Sequence, residues 1–269
     1  MRAVFAARRK KKMIVCKSEG ELETMHQAGM IVWNVLNDLR GQVQPGVTTL
    51  DLENFAARRT AESGARPAFK GYRGYPCVLC ASVNQEVVHG IPSASHRLKE
   101  GDIVSLDYGA EYKGYYADAA VTVPVGGVRP EVEKLMRVTR ESLDRAIEKV
   151  RPGNRLGDIS SAVQQWVEQN GFAIVREFVG HGIGTRMHEE PNVPNFGQPG
   201  SGPRLEEGMV LAIEPMVNAG GPGVKVLDDH WTAVTTDGSY SAHFEHTVAV
   251  TSNGPWILTR PREFTGPSW

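Results

Sequence analysis

Two short stretches recur at one fixed distance along this chain. "VQPGVTTLDL" (43–52) resembles "VRPGNRLGDI" (150–159), and "EGDIVSLDYG" (100–109) resembles "EGMVLAIEPM" (207–216), both 107 residues apart. Either match alone means little, but two at one offset constrain the chain to build the same unit twice. With an insertion, "YADAAVTV" (116–123) also aligns with "HFEHTVAV" (243–250). Each half then reads helix, helix, strand with a carboxylate, strand with a carboxylate. The alignment pairs Asp107 with Glu214 and Asp118 with Glu245. A duplicated α+β unit folded about a pseudo-twofold axis would bring these four carboxylates to its centre.

Local signals place the elements. Ser18 and Glu21 form a capping box, and apolar residues at 22, 25, 29, 32, 33, 36 and 39 predict an amphipathic helix behind it. A second helix is predicted from about Thr48–Thr49 to Gly64, and two more over 129–149 and 156–170, the last ended by Gly171. Strands are predicted at 77–83, 86–88, 102–107 and 116–123, then at 173–178, 209–216, 230–235 and 243–251. The Gly/Pro-rich run "PNVPNFGQPGSGP" reads as a loop. No low-complexity linker divides the chain.

The hairpin "SLDYGAEYKGYYADAAVTV" sets a physical problem. With Glu111-Tyr112-Lys113-Gly114 as its loop, Asp107 lies directly opposite Asp118. Facing Cβ atoms would be roughly 4.5–5.5 Å apart, and like charges so placed destabilise a sheet. Asp107, Glu214 and Glu245 sit in apolar runs without a basic neighbour. Unpaired buried carboxylates are expensive, so a divalent cation is the economical partner. "VGHGIGTRMHEEPN" adds His181 and His188, predicted on a Gly-rich turn. Carboxylate and imidazole together suit Mn²⁺, Fe²⁺, Co²⁺ or Zn²⁺ rather than Ca²⁺. Bridging carboxylates would hold two ions about 3.5–4 Å apart, as in two-metal hydrolases.

Composition excludes other classes. The 269 residues are 41% hydrophobic and 23% charged, with a formal net charge of −1, so no general polyanion-binding surface is implied. Cys16, Cys77 and Cys80 are too few for a disulfide framework and suit a reducing cytoplasm. No run approaches the ~18 apolar residues of a membrane span. The opening "MRAVFAARRKKK" is basic but lacks the apolar segment of a secretory signal. An organelle leader, a start upstream of Met13 and an RNA-touching arm are its readings; an upstream start or a disordered extension over 1–12 is preferred.

From Met13 to about Leu258 the chain resembles the type I methionine aminopeptidases, a branch of peptidase family M24. The resemblance rests on "GYRGYP", "NQEVVHGIP", "GDIVSLDYGAEYKGYYADAAVTV", "VGHGIGTRMHEEPNVPNFG", "EGMVLAIEPM" and "FEHTVAVT", in that order. It implies the pita-bread fold, an antiparallel sheet with helices on its outer face, in one catalytic domain over 13–269 with halves 13–125 and 126–260. It implies a metal-dependent hydrolase that removes initiator methionine. Two divalent ions would be held by Asp107, Asp118, His181, Glu214 and Glu245, with Asp118 and Glu245 bridging. By the same resemblance a bridging hydroxide attacks the first peptide bond and Glu214 carries a proton to the leaving amine. His89 and His188 steady the substrate carbonyl, and the free α-amino group docks at the Asp107-held metal. Tyr72, Tyr75, Cys80, Met187 and Trp231, with Phe69 close by, would wall the methionine pocket. Family members often carry an aromatic residue where Met187 stands, and methionine makes a softer wall. The implied substrates are N-terminal methionine peptides and nascent chains. A cytoplasmic monomer with no membrane and no specific nucleic-acid partner follows, ribosome docking being left open.

Other signals are weaker. Cys77-x-x-Cys80 falls on a predicted strand, where residues three apart face opposite ways, so a shared metal is disfavoured. His26, His96, His230 and His243 read as structural or surface residues, and His246 as packed behind Glu245. "HEEP" is interrupted by Pro191 and is not a His-Glu-x-x-His zinc motif. No Gly-x-Ser-x-Gly elbow or P-loop occurs. The rival readings are a proline-directed peptidase of the same fold, which usually carries a large extra N-terminal domain, and a binding module that has lost its ligands. A type II methionine enzyme needs a helical insertion for which the span from His188 to Glu214 has no room.

Overall fold

Helix α1 (Glu19–Arg40) starts where the capping box predicts, with the Glu21 carboxylate accepting hydrogen bonds from the Ser18 N–H (2.8 Å) and hydroxyl (2.7 Å). The computed structural model describes residues 13–266 and Trp269; the basic extension over 1–12 lies outside the described residues. Helix α2 (Thr49–Glu62) follows, then β1 (Arg66–Pro67), a 3₁₀ turn (Tyr72–Gly74), β2 (Leu79–Val83), β3 (Glu86–Val88), β4 (Ile103–Tyr112) and β5 (Tyr115–Pro124). The second repeat supplies α3 (Pro130–Ile147), α4 (Leu156–Gln169), β6 (Ala173–Ile174), β7 (Gly180–Gly182), β8 (Glu189–Val193), β9 (Val210–Ile213) and β10 (Met216–Asn218). The chain closes with β11 (Val224–Val226), β12 (Ala233–Thr235), β13 (Ser241–His243), β14 (Glu245–Thr251) and β15 (Gly254–Ile257). No helix among the described residues is long and apolar enough to cross a membrane.

The 107-residue offset relates α2 to α4 and β1 to β6 residue for residue, whereas β14 follows β5 at a longer offset because of the insertion. The turns before α2 and α4 match in detail. Gly46 and Gly153 both adopt φ +93°, where a side chain would be strained, and donate to Leu98 O (2.8 Å) and Leu205 O (3.1 Å). Thr48 bridges Arg97 as Arg155 bridges Arg204. The Thr48 and Arg155 N–H groups are capped by Asp51 (2.8 Å) and Asp158 (2.7 Å).

The two repeats share one antiparallel sheet in the order β1-β4-β5-β14-β9-β7-β8, with β2 on β4 and β15 on β14. Helix α1 covers β4 and β5, while α3 packs against β9, β10 and β13. Their apolar stripes, including Val32, Leu36, Leu135 and Leu143, close the core on that face. The other side of the central strands is left for the carboxylates.

Several predicted strands are shorter than expected. The run 209–216 breaks at Glu214-Pro215, because proline cannot donate to a ladder, and 243–251 breaks at Phe244. The run 173–178 keeps only β6, and 230–235 only β12. Strand β2 starts at Leu79, so Cys77 lies off the strand.

Close packing between α1 and the chain after β15 leaves no room for a side chain at Gly29. A Cβ there would collide with the Leu258 carbonyl, coming within 2.6 Å of its carbon. Gly29→Ala, favourable for an isolated helix, should therefore destabilise the protein by about 1–3 kcal/mol in denaturant titration. Turnover per folded molecule should stay at the parental value.

Candidate metal centre and substrate pocket

The β4–β5 hairpin corrects the expected facing pair. Tyr112 pairs with Tyr115, so the turn is the two residues Lys113-Gly114, at φ +52° and +85°, rather than a four-residue loop. The register puts Asp107 opposite Ala120 and Asp118 opposite Gly109. Asp107 and Asp118 are thus diagonal neighbours on one face, with a small residue opposite each. Ala120 also pairs with Glu245 on β14. Asp107, Ala120 and Glu245 form a row across three strands, with Asp118 two residues along the middle one.

His181 sits on β7 rather than on a turn, paired with Ala212 of β9. The His181 Nδ1–H donates to Gly182 O at 3.0 Å, which leaves Nε2 facing the carboxylates. Nε2 lies 3.5 Å from Asp118 Oδ2 and 3.8 Å from Glu214 Oε1. Glu214 enters from the break between β9 and β10, its carbonyl held by Asn195 Nδ2 at 2.9 Å. Ligand atoms of Asp118, His181 and Glu245 all lie within 4.8 Å of one another. Asp107 and Glu214 line the same cavity.

Electrostatics show what this cluster lacks. Asp107 Oδ1 is buried with no hydrogen-bond partner among the described residues. Burial, then Asp118 and Glu214, push the Asp107 carboxyl well above its usual range. Burial, then Asp118, Glu214 and Asp107, do the same to Glu245. Burial raises Glu214 to about 8, against the pull of His181. Burial opposes protonation of His181, but Asp118 and Glu214 prevail and raise it to about 9. An orphaned buried oxygen, raised carboxylates and one imidazole form a donor set that fits divalent cations.

The expected pocket residues converge beside this cluster. Phe69, Tyr72, Tyr75, Cys80, His89, Met187, His188 and Trp231 line one cavity of about 130 Å³ with the five candidate ligands. Tyr75 meets Trp231 edge-on at 5.1 Å and is fixed through its hydroxyl to Leu79 O and Gly90 O. Trp231 stands on a turn closed by Asp229, which accepts from the Trp231 and Thr232 N–H groups at 2.9 and 2.8 Å. Burial, then the neighbouring Asp107, pushes the Cys80 thiol well up, so it fills space as a neutral group. His188 stacks on Tyr72 at 5.2 Å, and its ring is 4.1 Å from that of His181. Burial lowers His89 and His188 each to about 4, so both are neutral at physiological pH.

Three participants escape motif reading. The Thr247 hydroxyl on β14 meets Asp118 at three atoms, accepting from its N–H at 3.1 Å and donating toward its carbonyl O at 2.8 Å and its Oδ1 at 3.1 Å. His243, read from sequence as structural or surface, is buried with Nε2 3.8 Å from Glu214 Oε2. Arg73 lines the cavity at φ +50°, with its guanidinium over the Tyr72 ring. No local signal marks any of them, since a strand threonine and a loop arginine are ordinary. His246 does pack behind Glu245, against Trp269 (4.8 Å) and Thr259 Oγ1 (2.8 Å).

Comparison with known proteins agrees with this geometry. The model of metallopeptidase family M24 matches residues 23–252. The chain is 55% identical over 247 residues to a methionine aminopeptidase of Clostridium perfringens, covering 92% of this chain and 99% of that one. It is 51% identical over 248 residues to methionine aminopeptidase 1 of Bacillus subtilis, covering 92% and 100%. The crystal structure of the methionine aminopeptidase from Thermotoga maritima superimposes with a TM-score of 0.91 at 50% identity, covering 93% and 100%. A prolidase from Pyrococcus horikoshii shares the fold at a TM-score of 0.74 and 24% identity, this chain covering 65% of it. The duplicated sheet, the carboxylate–histidine cluster and these matches agree: the chain belongs to metallopeptidase family M24, among its methionine aminopeptidases.

Proposed function

We propose that the protein releases methionine from the amino terminus of new polypeptides and peptides, using two divalent ions, of cobalt, manganese, iron or zinc. The observation that supports this most is the meeting of two cavities at one set of groups. The aromatic-lined cavity of about 130 Å³ and a polar one of about 410 Å³ share Arg73, His89, Asp107, His181, His188 and Glu214. The first suits one apolar side chain, and the second gives the remaining chain room to leave.

Asp107, Asp118, His181, Glu214 and Glu245 would hold the ions. Bound there, divalent ions supply Lewis-acid polarisation of the scissile carbonyl and a water acidified towards neutrality. The chain's own groups do the rest. Neutral His89 and His188 each offer an N–H to the carbonyl oxygen of the first residue. Glu214 is assigned to deliver a proton to the leaving amine. Asp107 marks the end of the cavity where the free α-amino group is held, which limits cleavage to one residue. We assign residues 13–269 to one catalytic domain with halves 13–125 and 126–260. The working form we infer is a cytoplasmic monomer that meets nascent chains near the ribosome.

The test is a panel of Met-Ala-Ser, Ala-Ala-Ser and Ala-Pro peptides with the purified protein. Methionine release that a chelator abolishes, with little cleavage of the other two, is the expected outcome. Full activity after complete metal removal would refute the metal role, and preferred Ala-Pro cleavage would favour a proline-directed peptidase.

A further inference from the structure

Lys17 and Glu189 form a buried ion pair that the chemistry above does not use. Lys17 Nζ lies 2.6 Å from Glu189 Oε2, and the side chains are only 3% and 4% exposed. The pair joins the segment before α1 to β8, across 172 residues of sequence. A buried ion pair is weak evidence for stability, because an apolar pair of similar volume often does as well. What an apolar pair cannot do is accept hydrogen bonds.

Glu189 uses its second oxygen for that purpose. Its Oε1 accepts from the Arg186 N–H at 3.2 Å and the Thr185 hydroxyl at 3.4 Å. Those residues begin the bend that returns the chain from β7 to β8, and Met187 and His188 follow them into the substrate cavity. Lys17 is itself fixed. Its N–H donates to Gly208 O at 2.7 Å and its Nζ to Val15 O at 3.1 Å. A Cβ at Gly184 would meet the end of the Lys17 side chain and Glu189 Oε1, so any larger residue there would have to displace the pair. The Gly184 carbonyl in turn accepts from the Tyr116 N–H at 2.8 Å, tying the bend to β5.

We propose that Lys17 and Glu189 are positioning residues for methionine recognition. Lys17 orients the Glu189 carboxylate, and the carboxylate holds the 185–188 bend so that Met187 and His188 face the first residue of the substrate. The inference rests on the aminopeptidase reading and names what sets its selectivity.

Two neutral double variants isolate the hydrogen bond from the charge. Lys17→Met with Glu189→Gln keeps an acceptor for the Arg186 N–H, whereas Lys17→Met with Glu189→Leu removes it. Both are assayed below the lower of their melting temperatures, with Met-Ala-Ser and Leu-Ala-Ser as substrates, and both are titrated with metal. The glutamine variant should keep kcat/KM on Met-Ala-Ser within about threefold of the parent, and the leucine variant should lose about tenfold or more, as misplacement of substrate-positioning groups does. The preference for methionine over leucine should fall only in the leucine variant, and metal affinity should match the parent in both. Equal kcat/KM and equal preference in the two variants, whether parental or impaired, would overturn the proposal. A parent protein inactive on Met-Ala-Ser would instead refute the aminopeptidase reading.

Discussion

Asp118→Asn should cut turnover about a thousandfold while leaving the melting temperature of the metal-free protein near the parental value. The substitution is isosteric, and Thr247 can still donate to the amide oxygen in place of Asp118 Oδ1. What it removes is a buried negative charge that helps to push Asp107 and Glu245 upward, after burial itself. That charge also pairs with His181 at 3.5 Å and raises it, so its loss relieves the carboxylates and costs the imidazole together. We infer that metal binding needs the charge, because among the described residues Asp118, His181 and Glu245 are the triad whose ligand atoms lie mutually within 4.8 Å. We expect metal content to collapse and kcat/KM on Met-Ala-Ser to fall on the order of 10³-fold. The preserved metal-free melting temperature separates this outcome from misfolding, which would lower it. Parental metal content and parental rate in the variant would refute the bridging role.

Metal removal should produce a loss of stability that deepens as pH rises. The sign follows from proton counts. Glu214, raised to about 8, and His181, raised to about 9, keep protons in the folded metal-free protein that the unfolded chain has released. Stability therefore falls with pH wherever the folded state holds the extra proton. For Glu214 this window runs from about 4.3, the unfolded carboxyl value, to about 8. For His181 it runs from about 6.5 to about 9. Each retained proton is worth about 1.4 kcal/mol per pH unit across its window. The buried histidines lowered to about 4, His89 and His188, act oppositely but only below about 6.5. Metal must displace the protons on its ligands, so its apparent affinity should steepen over the same range. Metal at 1,000 times its Kd should add about 4.1 kcal/mol per site, or roughly 10 °C in Tm for a chain of this size. Scanning calorimetry from pH 6 to 9, with and without metal, reads both effects. A melting temperature indifferent to metal at pH 8 would count against the centre.

Features set by local chemistry are legible in the sequence. The Ser18–Glu21 capping box, the glycines ending helices and the 107-residue offset place all four helices to within a few residues. The clustering of Asp107, Asp118, Glu214 and Glu245 at one cavity is legible because carboxylates inside apolar strands have few explanations. Register is not. The hairpin turns on Lys113, a non-glycine residue at φ +52°, which sequence alone does not favour. A four-residue loop therefore looks as good as two, and the difference moves Asp118 from opposite Asp107 to its diagonal. Strand β7 is hidden for another reason. Gly180-His181-Gly182 has poor intrinsic strand preference and is extended only because β8 and β9 flank it. Lys17 and Glu189 have no local pattern at all, since their meaning lies in a contact 172 residues long.

The ladder between β5 and β14 has a mechanical meaning. Strands β4 and β5, within the first repeat, share ten registered residue pairs, whereas β5 and β14, where the repeats meet, share two. That seam is narrow, and it passes through Ala120 and Glu245. Asp107 and Asp118 lie on one side of it, and His181, Glu214 and Glu245 on the other. An ion held by both groups would act as a rivet across this joint between the repeats. The backbone amide of Ala120, which points across the seam as that of Asp118 does, should then exchange with solvent faster than amides deep in β4 when metal is withdrawn.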